Sequence, residues 1–264
     1  MKGIFMSDFD NLQLMDVDDD NPLSATGISK KSLVIFFMID TSGSMKGKKM
    51  GELNTVMEEL IPEIRNVGEA DTDVKIAVLT FSTDVKWMYS APVSIEEFEW
   101  TRLNASGVTS MGAAFEELSE RMSRNGFLSS PSLSFAPVIF LMTDGYPSDD
   151  YRKGLKVLQS NSWYKFGLKA ALGIGNEAND DMLAEFTGSA DSVVHAYTGG
   201  QLAKMIKIVA VTASQIGSKS MTLSEEIKEV TESDVFAAKQ KLLGQQIQEL
   251  VSNDEEDFSF DTGW

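Results

Sequence analysis

Cysteine is absent from the 264 residues. Its absence excludes disulfides, thiolate metal sites and cysteine nucleophiles. Histidine occurs once, at His195, so any Ser–His catalytic pair would have to use that side chain. It falls at the end of a weakly patterned strand, where a packed or surface role is expected. Basic residues are scarce: 23 Lys and Arg face 40 Asp and Glu, for a net charge of −17. Phosphate contacts need clustered cations, so direct nucleic-acid binding is not expected. No apolar run reaches the ~18 residues of a membrane span. The early stretch Met6–Asp20 is acidic, where a secretory leader would be basic and then apolar. These absences together give the expectation of a cytoplasmic protein with no membrane partner.

The acidity that is present sits mainly at the ends. Residues 1–29 carry one Lys and six Asp, and residues 218–264 carry four Lys and eleven acids. The expected organisation is an acidic, loosely packed segment over 1–31, a central domain over 32–217, and an acidic helical extension over 218–264. Within the extension, Thr222 and Glu225 resemble a capping box. Ile227, Val230, Val235, Ala238, Leu242 and Leu250 suggest a broken amphipathic helix. The last stretch mixes acids with Phe258, Phe260 and Trp264. It reads as a solvated end, or as a recognition segment with aromatic anchors.

The central region alternates strand and helix patterns. Leu33–Ile39 is apolar without alternation, as in a strand covered on both faces. Leu53, Val56, Met57, Leu60, Ile61 and Ile64 recur at helical spacing, with Pro62 a possible kink. Val74–Phe81 and Val85–Ala91 read as strands joined by three residues, too few for a parallel crossover, so the second is expected to be antiparallel. Met111–Met122 is expected to be helical, Pro137–Met142 a strand, Asp149–Ser160 a helix and Phe166–Leu172 a strand. A short helix over Asp180–Phe186, a strand over Ser192–His195 and a helix from Leu202 to Ala213 complete the domain. The pattern predicts an α/β fold: a Rossmann-like, doubly wound, mostly parallel six-stranded sheet with one antiparallel edge strand and helices on both faces.

Three oxygen-rich segments fall where buried strands should end or helices begin. They are Asp40-Thr41-Ser42-Gly43-Ser44, Ser106-Gly107-Val108-Thr109-Ser110 and Leu141-Met142-Thr143-Asp144-Gly145. Ligands of open α/β sheets bind beyond the carboxyl ends of the strands. An all-oxygen set of carboxylates and hydroxyls suits Mg²⁺ or Mn²⁺. Taken alone, the first segment also reads as a strand-to-helix turn with Ser44 near a helix cap. Three such segments in this order on this framework favour a metal site.

At these residues the chain resembles the von Willebrand factor A domain family, over about residues 32–216. The resemblance implies a metal-ion-dependent adhesion site. Asp40, Ser42 and Ser44 match its Asp-x-Ser-x-Ser loop, Thr109 its threonine loop and Asp144 its aspartate loop. Ser42, Ser44 and Thr109 would reach a Mg²⁺ or Mn²⁺ ion, with Asp40 and Asp144 often acting through water. A Glu or Asp from a protein partner would complete the coordination. The wording of the three loops looks most like bacterial intracellular, tellurite-resistance-type members, often encoded beside a Ser/Thr kinase and a PP2C-type phosphatase. Their cysteine-rich extension is missing here, and an acidic tail stands in its place. An acid of that tail, such as Asp257 or Asp261, is a candidate ligand for a neighbouring copy's metal, which would give self-association.

Other chemistry is less well supported. Gly173-Ile174-Gly175-Asn176-Glu177-Ala178 fits a dinucleotide-type glycine pattern, but it follows the wrong strand and is expected to be a plain turn. A metal-dependent phosphohydrolase or phosphotransferase is the enzyme alternative. Haloacid-dehalogenase-type enzymes need a second aspartate where this chain has Ser42, and no Lys or Arg is placed to hold a phosphate. The expectation is a non-enzymatic interaction module. Lys46, Lys48 and Lys49 form a basic cluster near the site that would steer an acidic partner.

Overall fold

The computed structural model describes residues 30–64, 72–128, 134–218 and 232–252. The apolar run before Asp40 becomes strand β1 (Lys31–Asp40), buried from Leu33 onward. Its side chains alternate between two cores, as the period of two in a strand requires. Leu33, Ile35, Phe37 and Ile39 face one core; Val34, Phe36 and Met38 face the other. The run lacks polar alternation because both faces are covered.

Parallel strands β2 (Thr72–Phe81), β5 (Val138–Thr143), β6 (Leu168–Ile174) and β7 (Val193–Ala196) extend the sheet on either side of β1. Strand β3 (Val85–Trp87) pairs antiparallel with β2, as its short connection demanded. Among the described residues the sheet has seven strands rather than six, because β4 (Val93–Ser94) also pairs antiparallel with β2. The stretch expected as one strand over 85–91 is strand only through Trp87; the Met88 amide still donates to the Val78 carbonyl (2.9 Å), and the chain then leaves the edge. Pro92, which has no N–H to give a ladder, precedes the return to the same edge.

One face is covered by α1 (Lys48–Ile64) and α6 (Gly199–Ser218), the other by α2 (Met111–Arg121), α3 (Tyr151–Ser160) and α5 (Asp180–Thr187). Helix α1 runs through Pro62 into its last turn. A short helix α4 (Ser162–Phe166) precedes β6 and takes in Phe166, the first residue expected of that strand. The Asn161 side chain caps it, accepting from the amides of Trp163 (2.8 Å) and Tyr164 (3.3 Å).

In the extension, α7 (Glu232–Ser252) is continuous over its described length, and Ile227 and Val230 of the expected broken helix lie outside the described residues. Its buried stripe differs from the expected one. Leu243 and Ile247 are buried, whereas Leu242 and Leu250 point outward. The true stripe hides a polar member, Gln240, which apolar periodicity overlooks. Gln240 accepts from the Lys169 amide (2.9 Å) and donates to the Lys169 carbonyl (2.8 Å) and the Ser192 hydroxyl (2.8 Å). Strand β7 pairs with β6 only from Ala171 onward, so this side-chain amide satisfies backbone groups at the start of β6. The proposed capping box at Thr222 and Glu225, and the acidic segments over 1–29 and 253–264, lie outside the described residues.

The strand order is β3-β2-β1-β5-β6-β7. The chain winds outward from β1 in one direction, then resumes from β5 in the other. The switch point lies between β1 and β5, the position where open α/β sheets form a ligand crevice. Asp40 ends β1, and Asp144 directly follows β5.

Candidate metal centre

Asp40 and Asp144 are both fully buried, at 0% exposure. An isolated buried carboxylate is costly, so each must be compensated. The Ser42 amide donates to Asp40 Oδ1 (2.8 Å) and the Thr143 hydroxyl to Asp40 Oδ2 (2.6 Å). Burial pushes the Asp40 carboxyl above its usual range. The Thr143 and Ser42 hydrogen bonds pull it back, and the nearby Asp144 charge adds to the upward push. The Ser44 hydroxyl donates to Asp144 Oδ1 (2.7 Å) and shares a hydrogen bond with the Ser42 hydroxyl (3.0 Å). Asp144 Oδ2 accepts from the Lys49 ammonium (2.6 Å).

The threonine loop is tied to both others by backbone. The Ser106 amide donates to the Thr41 carbonyl (2.7 Å), and the Gly43 amide to the Gly107 carbonyl (2.9 Å). Gly107 has φ +84°, and a Cβ there would lie 2.3 Å from Thr83 Oγ1, so the turn needs glycine. The Thr109 carbonyl accepts from both the amide and the hydroxyl of Ser148 (2.8 Å each). Its hydroxyl makes no hydrogen bond among the described residues, and the residue keeps 8% exposure. Asp149 caps α2, accepting from the amides of Gly112 (2.9 Å) and Ala113 (3.0 Å).

The structure therefore brings Asp40, Ser42, Ser44 and Asp144 into one hydrogen-bonded chain and holds Thr109 on a loop pinned to both sides of it. Two carboxylates and three hydroxyls form an all-oxygen donor set, which fits a hard divalent cation. Among the described residues, no three His, Cys, Asp or Glu side chains come together as a metal cage. The hydroxyls must then supply much of any coordination shell.

Several participants were not assigned a role from the sequence. Thr143 lies within the third oxygen-rich segment, but its grip on Asp40 depends on the β1–β5 register. Lys49, expected to steer a partner together with Lys46 and Lys48, is paired with Asp144 and largely covered. Asn54 was overlooked, although a polar residue inside the apolar stripe of α1 was a legible signal. It donates to the carbonyls of Met50 (2.8 Å) and Leu103 (3.0 Å). It accepts from Trp100 Nε1 (3.0 Å) and the Leu103 amide (2.7 Å). His195 pairs with Asp180 (3.2 Å) and stacks near Tyr197. Gly175 (φ +80°) forms a strand-end turn whose amide donates to the Ala196 carbonyl (2.7 Å).

The sheet order and the three loops define a doubly wound α/β domain with its ligand crevice at the β1–β5 switch point. The family model for the von Willebrand factor type A domain matches residues 35–211, and the chain belongs to that family. Solved structures share the fold. Proximal thread matrix protein 1 from the mussel byssus aligns at 17% identity with a TM-score of 0.53, covering 70% of this chain and 47% of that one. A second structure of the mussel protein, described as having a zinc-occupied MIDAS motif, aligns at 17% identity and TM-score 0.52, covering 70% and 46%. A von Willebrand factor type A protein from Catenulispora acidiphila aligns at 17% identity and TM-score 0.52, covering 70% and 43%. The chain thus spans less than half the length of these proteins. No curated protein matches it. Among the described residues, no helix is long and apolar enough to cross a membrane.

Proposed function

We propose that the domain is a non-enzymatic, metal-dependent protein-interaction module. Ser42, Ser44 and Thr109 hold Mg²⁺ or Mn²⁺, and Asp40 and Asp144 anchor the shell. The bound ion supplies an open coordination position for a Glu or Asp of a protein partner. The observation that carries this reading is the linked set of two buried carboxylates and two hydroxyls at the β1–β5 switch point, with the Thr109 loop fastened to it. The zinc-occupied motif of the mussel protein supports divalent-metal chemistry at such a site. Around the site, Tyr146 and Val108 are exposed, at 68% and 53%, and offer apolar contacts beside the metal-bound acid.

The finer reading rests on motif wording. The loops Phe37–Met45, Ala105–Thr109 and Leu141–Gly145 resemble tellurite-resistance-type bacterial proteins. We place the module in a cytoplasmic stress-response or signalling system, as a scaffold or regulator with a Ser/Thr kinase or a PP2C-type phosphatase among its candidate partners. The acidic tail beyond Ser252 is a candidate ligand for the metal of a second copy.

Affinity capture in Mg²⁺ and in EDTA, with wild type and Asp40→Ala, tests the reading. The expected result is a set of partners held by wild type in Mg²⁺ and lost both in EDTA and in the variant. Equal capture under all conditions by a folded variant would remove the metal from the interaction.

A further inference from the structure

Asp144 presents its two oxygens to different partners. Oδ1 accepts from the Ser44 hydroxyl, on the side of the candidate metal ligands. Oδ2 accepts from Lys49 Nζ at 2.6 Å, a charge-assisted contact at the short end of its range. The Lys49 side chain is 18% exposed and the Asp144 side chain 0%, so this ion pair is little screened by solvent. Lys49 sits in the first turn of α1, in the same segment that carries Ser42 and Ser44. Its neighbour Lys48 differs: it is half exposed and lies 3.8 Å from Glu52.

We propose that Lys49 is a resident counter-cation of the metal site. It balances Asp144, lowers the intrinsic affinity for a divalent ion and makes an anionic ligand necessary for tight metal binding. This rests on the metal reading above. The argument is one of charge balance. Asp40, Asp144 and Lys49 together carry −1 when all three are ionised. A divalent cation takes that total to +1 in a poorly solvated crevice, and a partner's carboxylate returns it to zero. Without Lys49, the two carboxylates alone would neutralise the ion, and a partner's acid would bring a surplus negative charge. The lysine thus links metal retention to the arrival of an acidic residue. It also holds Asp144 by the oxygen that does not face the hydroxyls, so it can keep its contact while the other oxygen serves the metal shell.

Titration of Mn²⁺ alone, without partner, into wild type, Lys49→Met, Lys49→Arg and Lys48→Met tests this. Mn²⁺ is followed by calorimetry and by the loss of its free-ion magnetic resonance signal. Removing a positive charge from beside a divalent-ion site changes affinity by about tenfold or more at protein-like dielectric. Lys49→Met is therefore expected to bind Mn²⁺ at least ~10-fold more tightly than wild type. Lys49→Arg, which keeps the charge, should stay near wild type. Lys48→Met should change affinity less than about threefold, because an exposed charge is screened. Lys49→Gln serves if the methionine variant fails to fold. Equal or weaker Mn²⁺ binding by the neutral variant overturns the proposal, as does an equal gain in Lys48→Met. If wild type and the neutral variant both bind no Mn²⁺, the metal reading itself fails, and with it the role of Lys49.

Discussion

At the scale of single residues, the site depends on buried carboxylates whose oxygens are hydrogen-bonded. Asp40 is held by one amide and one hydroxyl from two different strand ends, which fixes its orientation before any ligand arrives. Asn54 has the same character away from the metal loops. Its amide joins α1 to the stretch Trp100–Leu103, which leads into the threonine loop. Replacing it with leucine fills similar space but strands the Leu103 amide and the Trp100 indole N–H without an acceptor. Both donors are only part-buried, so each costs toward the lower end of the about 1–3 kcal/mol of an orphaned buried group. Asn54→Leu is expected to lower stability by about 2–3 kcal/mol, read from urea denaturation midpoints. An unchanged midpoint would mean that these donors find water or another acceptor. Such hubs are hard to read from sequence. The position is visible as a polar break in an apolar stripe, whereas its partners 46 and 49 residues away are not.

At the scale of elements, the close approach of α2 and α3 fixes the placement of the threonine and aspartate loops. A Cβ built on Gly154 of α3 would lie 2.2 Å from the Gly112 carbonyl oxygen of α2. The obstacle is backbone and cannot swing aside, so the helices would have to part. Gly→Ala in a helix interior normally gains about 0.5–1 kcal/mol. Overpacking of a tight contact costs about 1–3 kcal/mol or more, and here it should win. Gly154→Ala is expected to destabilise the domain. Gly51→Ala in α1, where a Cβ meets nothing within 4 Å, is expected to stabilise it slightly. Thermal melts of the two variants check the opposite signs; a gain at both positions would show that α2 and α3 yield easily. The sequence made the elements of the central domain legible because β1 is an unbroken apolar run and the helices carry apolar residues at helical spacing. It failed where polar atoms decide the outcome. The stripe of α7 contains Gln240, so apolar spacing pointed to Leu242 and Leu250 instead of Leu243 and Ile247. The edge strand expected over 85–91 ends early, at Trp87, and β4 lies beyond its expected end; no periodicity announces either.

At the scale of the molecule, topology places the chemistry. A strand order that reverses between β1 and β5 sets Asp40 and Asp144 on the two sides of one crevice, 104 positions apart in the chain yet linked through Ser44. The candidate ligands were legible because strand-end carboxylates and hydroxyls recur in three segments. Their mutual hydrogen bonds, and the pairing of Lys49 with Asp144, were not, because they depend on strand register and on the path of α1 across the sheet edge. The central claim is that Asp40, Ser42, Ser44, Thr109 and Asp144 together hold one divalent cation. Calorimetric titration of Mg²⁺ and Mn²⁺ into wild type and Asp144→Asn, with folding checked by circular dichroism, tests it most directly. The account expects saturable binding of a single ion by wild type, weakened by about tenfold or more in the variant. No saturable binding by either folded wild type or the neutral Lys49 variant, or equal binding by wild type and Asp144→Asn, would contradict it.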